Sequence, residues 1–274
     1  MRVKAVSSIT QRWTKMTPVK WTLTLLMVTG CGTDAAKPPS DSVDTSKIQM
    51  VNRSTNEESH HLNHENAPFG IPTISQPKKN QKVLLNAPHI KQNPQLPRGC
   101  EVTSLAMLLN HAGVSVDKMT LAKKVKKVPY RSNGLRGNLN DGFVGNMYSM
   151  NQPGIGVYHG PIKDLAESYL PGKVFDLTGK EFNSVLEQLD QKRPVWVLVT
   201  STYDIVPESR WTTWKTRSGP LKITFKMHSV LVTGYDKDFI YVNDPLSIKN
   251  RKLPRQKFIA GWEQMGKQAI TIKK

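Results

Sequence analysis

The run Leu96-Pro97-Arg98-Gly99-Cys100-Glu101-Val102-Thr103-Ser104-Leu105-Ala106-Met107-Leu108-Leu109-Asn110-His111-Ala112-Gly113 decides how this 274-residue chain is read. Val102, Leu105, Ala106 and Leu109 recur at helical spacing, which predicts an amphipathic helix over residues 101–112, and Gly113 suits its C-terminal cap. Pro97 and Gly99 disfavour helix before that point. Cys100 therefore falls at the first turn, where free backbone N–H groups and the helix dipole favour the thiolate. The alternative is an inert cysteine that packs like a small hydrophobe.

Downstream, helices lead and strands gather late. Residues 161–170 start a helix after a glycine with a proline in its first turn. Thr178-Gly179-Lys180-Glu181 reads as a capping box opening a helix to about residue 191. Pro194 ends it, and residues 195–200 form a β-rich apolar run. Residues 223–235 and 239–243 are strand-like around the turn Asp236-Lys237-Asp238. A short helix at 257–265 and a last strand at 269–272 complete an α+β pattern, with N-terminal helices packed on a C-terminal antiparallel sheet. The run Lys123, Lys124, Lys126, Lys127 reads as the wet face of a short helix that turns Leu121 and Val125 inward.

Upstream, residues 1–30 carry five basic residues and no acidic one, and an apolar stretch from Trp21 to Val28 leads into Thr29-Gly30-Cys31. A positive region, a short apolar region and small residues before a cysteine make an export signal. It resembles the bacterial lipoprotein signal, which implies that Cys31 is acylated and that the protein is tied to the outer face of the cytoplasmic membrane. Met16 is an alternative start. Residues 31–80 hold one aromatic residue, Phe69, among polar ones; such a segment cannot offset its ordering entropy and reads as a flexible tether. His60, His61 and His64 within it read as solvated linker residues, so no metal or cofactor is expected.

The folded part, residues 81–274, holds 29 basic and 15 acidic residues of the 39 and 21 in the chain. A cationic domain outside a cell suits an anionic envelope, lipid headgroups or wall polymers. No nucleic-acid-binding signature is present. Two cysteines exclude a disulfide scaffold, and with Cys31 acylated Cys100 is a lone thiol.

A thiolate nucleophile needs a base, and the base an orienting group. His228 lies in Met227-His228-Ser229-Val230, and Asp244 in Asn243-Asp244-Pro245. With a three-residue loop at 236–238, Tyr235 faces Phe239 and Val230 faces Asp244. Asp244 is then diagonal to His228 on one sheet face, within side-chain reach. A loop one residue longer puts it on the wrong face, and spacing alone leaves open two unrelated strand ends.

These blocks together, with residues 92–101, 142–148, 158–161 and 266–270, resemble the papain-like cysteine peptidases related to the bacteriocin-processing double-glycine peptidases, in particular a stand-alone exported branch. The resemblance spans roughly residues 83–274. It implies Cys100 as nucleophile, His228 as base and then acid, and Asp244 as the group that fixes the imidazole tautomer. It also implies a glutamine as oxyanion donor, Gln92 at the end of a strand-like segment 84–91 or else Gln95. His159, Trp211 and Trp214 are candidate substrate contacts, though the two tryptophans fit simple packing in a basic hairpin equally well. The double-glycine enzymes carry Asp-Cys-Gly, where this chain has Gly99-Cys100-Glu101. The expected activity is peptide-bond hydrolysis on a peptide or protein; a wall amidase or endopeptidase and a non-catalytic binding module are the alternatives.

Overall fold

The computed structural model describes residues 82–273. The export signal, Cys31, the tether and its histidines lie outside the described residues. The first half of the described chain holds β1 (Val83–Leu84), α1 (Cys100–His111), α2 (Lys118–Lys124), β2 (Lys127–Val128), β3 (Arg131–Ser132), β4 (Leu135–Arg136), β5 (Phe143–Val144) and α3 (His159–Glu167). The second half holds β6 (Val174–Asp176), α4 (Asn183–Asp190), β7 (Val195–Thr200), β8 (Trp211–Thr216), β9 (Gly219–Thr224), β10 (Met227–Tyr235), β11 (Phe239–Asn243), β12 (Arg251–Pro254), α5 (Arg255–Gln264) and β13 (Ala269–Ile272).

An antiparallel sheet in the order β12-β11-β10-β7-β13-β6, with β1 paired to the end of β10, is the centre of the domain. Strand β7 is buried at every position because both sheet faces are covered. Trp196 and Leu198 enter one core with Val102, Leu105, Met107 and Leu109 of α1. Val195, Val197 and Val199 enter a second with Val185 and Leu189 of α4 and Phe258 and Trp262 of α5. The α+β class holds, with the helices divided between the two faces. Among the described residues no helix is long and apolar enough to cross a membrane.

The pairing of β10 with β11 departs from the simple hairpin in two places that compensate. Tyr235 faces Ile240 and Gly234 faces Tyr241, so the loop is one residue longer than expected. A bulge at Thr233 then shifts the register, so that Val232 faces Val242 and Leu231 faces Asn243. Continued by one residue, this puts Asp244 opposite Val230, the position the shorter loop would have produced. Thr233 is held out of the ladder by bonds from its hydroxyl to the Tyr241 carbonyl (3.2 Å) and Asn250 Oδ1 (2.9 Å).

Other boundaries moved. The expected strand over 223–235 is two strands in two sheets, broken at Phe225-Lys226, because β9 returns along β8 whereas β10 joins the central sheet. The expected strand-like segment 84–91 is strand only at Val83–Leu84. The capping box is not formed: α4 begins at Asn183, and the Thr178 hydroxyl accepts from the Ala269 N–H instead (3.2 Å). In α2, Leu121 and Ala122 are buried and Val125 caps the end, with Lys123 and Lys124 exposed.

Gly234 marks where β1 meets β10: a Cβ there would lie 2.2 Å from the Val83 carbonyl oxygen. Gly234→Ala is expected to push β1 away and to cost about 1–3 kcal/mol, the usual range for overpacking. Thermal unfolding should show this as a loss of several degrees; an unchanged midpoint would mean that β1 adds nothing.

Candidate active site

Cys100 is the first residue of α1, as its flanking proline and glycine predict. Gly99 is required by a close approach, since a Cβ there would stand 2.5 Å from Leu96 Cβ. The helix is docked on the sheet by two bonds near its start: Trp196 Nε1–H donates to the Glu101 carbonyl (3.0 Å) and the Ser104 hydroxyl to the Ser229 carbonyl (3.1 Å). The Ser229 backbone amide, one residue after His228, favours the Cys100 thiolate, against the larger effect of burial.

The imidazole and the carboxylate meet. His228 Nε2 lies 2.9 Å from Asp244 Oδ1, and both side chains are almost wholly buried. With Nε2–H donating to the carboxylate, the lone pair sits on Nδ1, which has no hydrogen-bond partner among the described residues. Asp244 gathers three further donors: the Leu246 N–H (2.9 Å) on Oδ1, and the Tyr203 hydroxyl (2.8 Å) and an Arg251 guanidinium nitrogen (2.8 Å) on Oδ2. Burial by itself would raise the Asp244 carboxyl; the bonds from His228, Leu246 and Tyr203 outweigh it and hold the group well below the usual carboxylate range.

Four residues of this site had drawn no role. Tyr203 follows β7 with φ +56°, a conformation that a non-glycine residue holds only where its surroundings impose it. Its ring stacks on Phe258 and stands edge-on to His228 (centroids 6.0 Å). Arg251 lies over that ring at 4.8 Å while it reaches Asp244. His89 Nε2 bonds the Asp244 backbone carbonyl (2.9 Å), fixing the loop that carries the carboxylate. Glu101, buried beside the sulfur, is the fourth. Glu101 adjoins Cys100 and Arg251 opens β12, whereas His89 and Tyr203 carry no signal in the sequence.

The sulfur's environment differs from the expectation. Burial, and then the adjacent Glu101 carboxylate, push the Cys100 thiol well above its ordinary value. It donates to Glu101 Oε2 at 3.3 Å, so Cys100 is a thiol and not a preformed thiolate. Gln92 is also committed. Its Nε2 donates to the carbonyls of Leu96 (3.1 Å) and Pro97 (3.0 Å), bracing the turn before Cys100, while its Oε1 is buried without a partner. Gln95 is exposed. The remaining candidates have structural partners. His159 Nδ1 bonds Asp176 Oδ2 (2.9 Å) and its backbone N–H bonds Gln268 Oε1 (2.9 Å). Trp214 is buried edge-on against Tyr130 (5.4 Å), with Arg136 over both rings. Trp211 is half-buried under Lys222, whose ammonium pairs with Glu208. Two surface depressions, of about 390 and 530 Å³, lie away from Cys100 and His228.

The family model for the peptidase C39-like family matches residues 84–270, a span that includes Cys100, His228 and Asp244. The chain belongs to this family. It is 52% identical over 182 residues to the uncharacterized protein YvpB of Bacillus subtilis (strain 168), a match covering 66% of this chain and 71% of that one. A crystal structure from Bacillus anthracis, provisionally assigned as a C39-like peptidase, superposes with a TM-score of 0.70 at 47% identity and covers 71% of this chain and 98% of its own. A C39-like peptidase family suggests a cysteine peptidase.

A carboxylate ionised more readily in the folded than in the unfolded chain adds stability above the ordinary carboxylate pKa, near 4, and loses it as pH falls. Acid denaturation should therefore deepen below about pH 4, and Asp244→Asn should flatten that part of the stability–pH curve. Parallel curves would remove Asp244 from the acid response.

Proposed function

We propose that this protein is a cysteine peptidase in which Cys100 attacks the peptide carbonyl, His228 carries the proton and Asp244 holds the imidazole. The observation that carries the reading is the 2.9 Å bond from His228 Nε2 to Asp244 Oδ1, made on the strand to which the Cys100 helix is bonded through the Ser104 hydroxyl and the Ser229 carbonyl. The bond leaves Nδ1 as acceptor, so the thiol proton passes to Nδ1 while sulfur bonds the carbonyl carbon. The imidazolium then gives that proton to the leaving amine, a thioester forms, and water, deprotonated by the same ring, releases the acid. The Cys100 N–H, free at the helix start, steadies the oxyanion. Gln92 becomes a second donor by giving up one of its two carbonyl partners.

We further propose that the domain works outside the cell, tied to the membrane through acylated Cys31, with its net positive charge turned to the anionic envelope.

Peptidase activity against an unfolded protein or a mixed fluorogenic peptide set should be abolished in Cys100→Ala and fall by about 10²–10⁴-fold in His228→Ala. An active Cys100→Ala would sink the assignment. An epoxide or iodoacetamide probe should mark Cys100 faster in the wild type than in His228→Ala, because the resting thiol ionises by transfer to the imidazole. For location, Cys31→Ser should move the protein from the membrane fraction to the soluble fraction; unaltered partitioning would remove the lipid anchor.

A further inference from the structure

Glu101 is a buried carboxyl in contact with the sulfur and outside the triad. Its Oε2 accepts from the Cys100 thiol at 3.3 Å, and its Oε1 accepts from the Val157 N–H at 3.1 Å. Its residue is fully buried, and none of the ion pairs among the described residues includes it. The space for its side chain comes from Gly156, where a Cβ would stand 2.2 Å from Oε1. A flexible polar side chain at this place is therefore held at both oxygens, with one oxygen on the reacting atom.

The surroundings supply little else that titrates. Of the elements packed on α1, β7 and β13 carry no ionisable side chain, and β10 brings His228 and, at its far end, Tyr235. From α3 come His159, paired with Asp176, and Lys163, Asp164 and Glu167, none of them buried; Tyr158 precedes it. Helix α2 brings Lys118, which donates to backbone carbonyls of residues 91 and 92, and the exposed Lys123 and Lys124. On α1 itself the ionisable groups are Cys100 and, at the far end, His111. Burial, opposed by the amides of Glu101 and Val157 and by the thiol, raises the Glu101 carboxyl to about 7.

We propose that Glu101 gates the nucleophile by its charge: neutral, its carboxyl donates to the sulfur and lets the thiolate form, and ionised, it takes the thiol's hydrogen bond and holds Cys100 unreactive. The inference rests on the reading of Cys100 as nucleophile and deepens it. Protons balance in both forms. Neutral Glu101 keeps its own proton and turns it to the sulfur as the thiol proton moves to His228 Nδ1. Ionised Glu101 would set two negative charges side by side if that transfer took place, and like charges in contact suppress ionisation. Reactivity then fails to rise above neutral pH as an ordinary thiol's would.

The test is the pH dependence of iodoacetamide alkylation of Cys100, with peptide hydrolysis as a second readout, in wild type and Glu101→Gln. A glutamine keeps the shape, accepts from Val157 through its oxygen and donates to sulfur through its nitrogen, and carries no charge. The variant should be alkylated about tenfold faster than wild type at pH 8.5, the worth of one pKa unit, and at about the wild-type rate at pH 5.5. Its kcat/KM should hold to higher pH. Superimposable profiles from a reactive Cys100 would overturn the gate and leave the peptidase reading standing. A Cys100 that is not alkylated at any pH in the folded wild-type chain, with no hydrolysis, would overturn both. The wild-type chain provides a measurement independent of the variant's folding: the infrared band of a protonated carboxyl and the alkylation rate should change with one midpoint near neutral pH, and separate midpoints would overturn the proposal.

Discussion

The hydrogen bond between His228 and Asp244 depends on a register that the hairpin loop alone would have set wrongly. Side chains alternate along a strand, so one residue of slip between β10 and β11 would carry Asp244 to the far face. The bulge at Thr233 absorbs that residue. Everything beyond it, the imidazole tautomer, the Tyr203 and Arg251 bonds and the anchoring of the loop by His89, presupposes the corrected pairing. The bulge is itself braced by the Tyr241 carbonyl and Asn250, so the site's geometry is secured several residues from the site.

This explains which parts were legible in the sequence. Elements dominated by burial on both faces were read closely: β7 at Val195–Thr200, β11 at Phe239–Asn243 and β13 at Ala269–Ile272 have apolar patterns that admit one interpretation. Helix α1 was read to within a residue of its start because proline and glycine bound it. The expected 223–235 strand failed because Phe225 and Lys226 carry no proline or glycine to mark a turn. The capping box failed because Thr178 found a tertiary partner in the Ala269 amide. Cys100, His228 and Asp244 were named from spacing and resemblance, and the pairing of the last two was reached through a loop length that was one residue short and a bulge that was not foreseen. Tyr203 and His89 become visible only when the chain is folded, since their bonds to residue 244 span 41 and 155 residues; Arg251 lies only seven residues from Asp244 but is aimed at it by the turn between them.

At Cys100 two effects compete, and magnitude decides between them. The helix N-terminus favours a thiolate by roughly 0.3–1 kcal/mol, up to about 2 in partly buried sites. Burying an ionisable group opposes its charge by as much as several pKa units, each worth about 1.4 kcal/mol, and here a second acid touches the same sulfur. Burial and the neighbouring carboxyl win. The resting sulfur is therefore a thiol, and in the proposed mechanism its ionisation is completed by transfer to His228, so that the tautomer set by the bond to Asp244 matters more there than the helix dipole.

The same reasoning gives meaning to the triplet Gly99-Cys100-Glu101. The position after Cys100 carries a carboxyl, and its space comes from Gly156, where there is no room for a Cβ. A long acidic side chain buried next to a nucleophile is costly unless its oxygens are bonded, and here both are, one by Val157 and one by the sulfur. The carboxyl is tied to the backbone on one side and to the reacting atom on the other, so a change in its protonation is felt directly at Cys100. Glu101 thereby couples the chemistry of the helix start to the segment before α3, a part of the fold that otherwise contributes no side chain to the His–Asp pair.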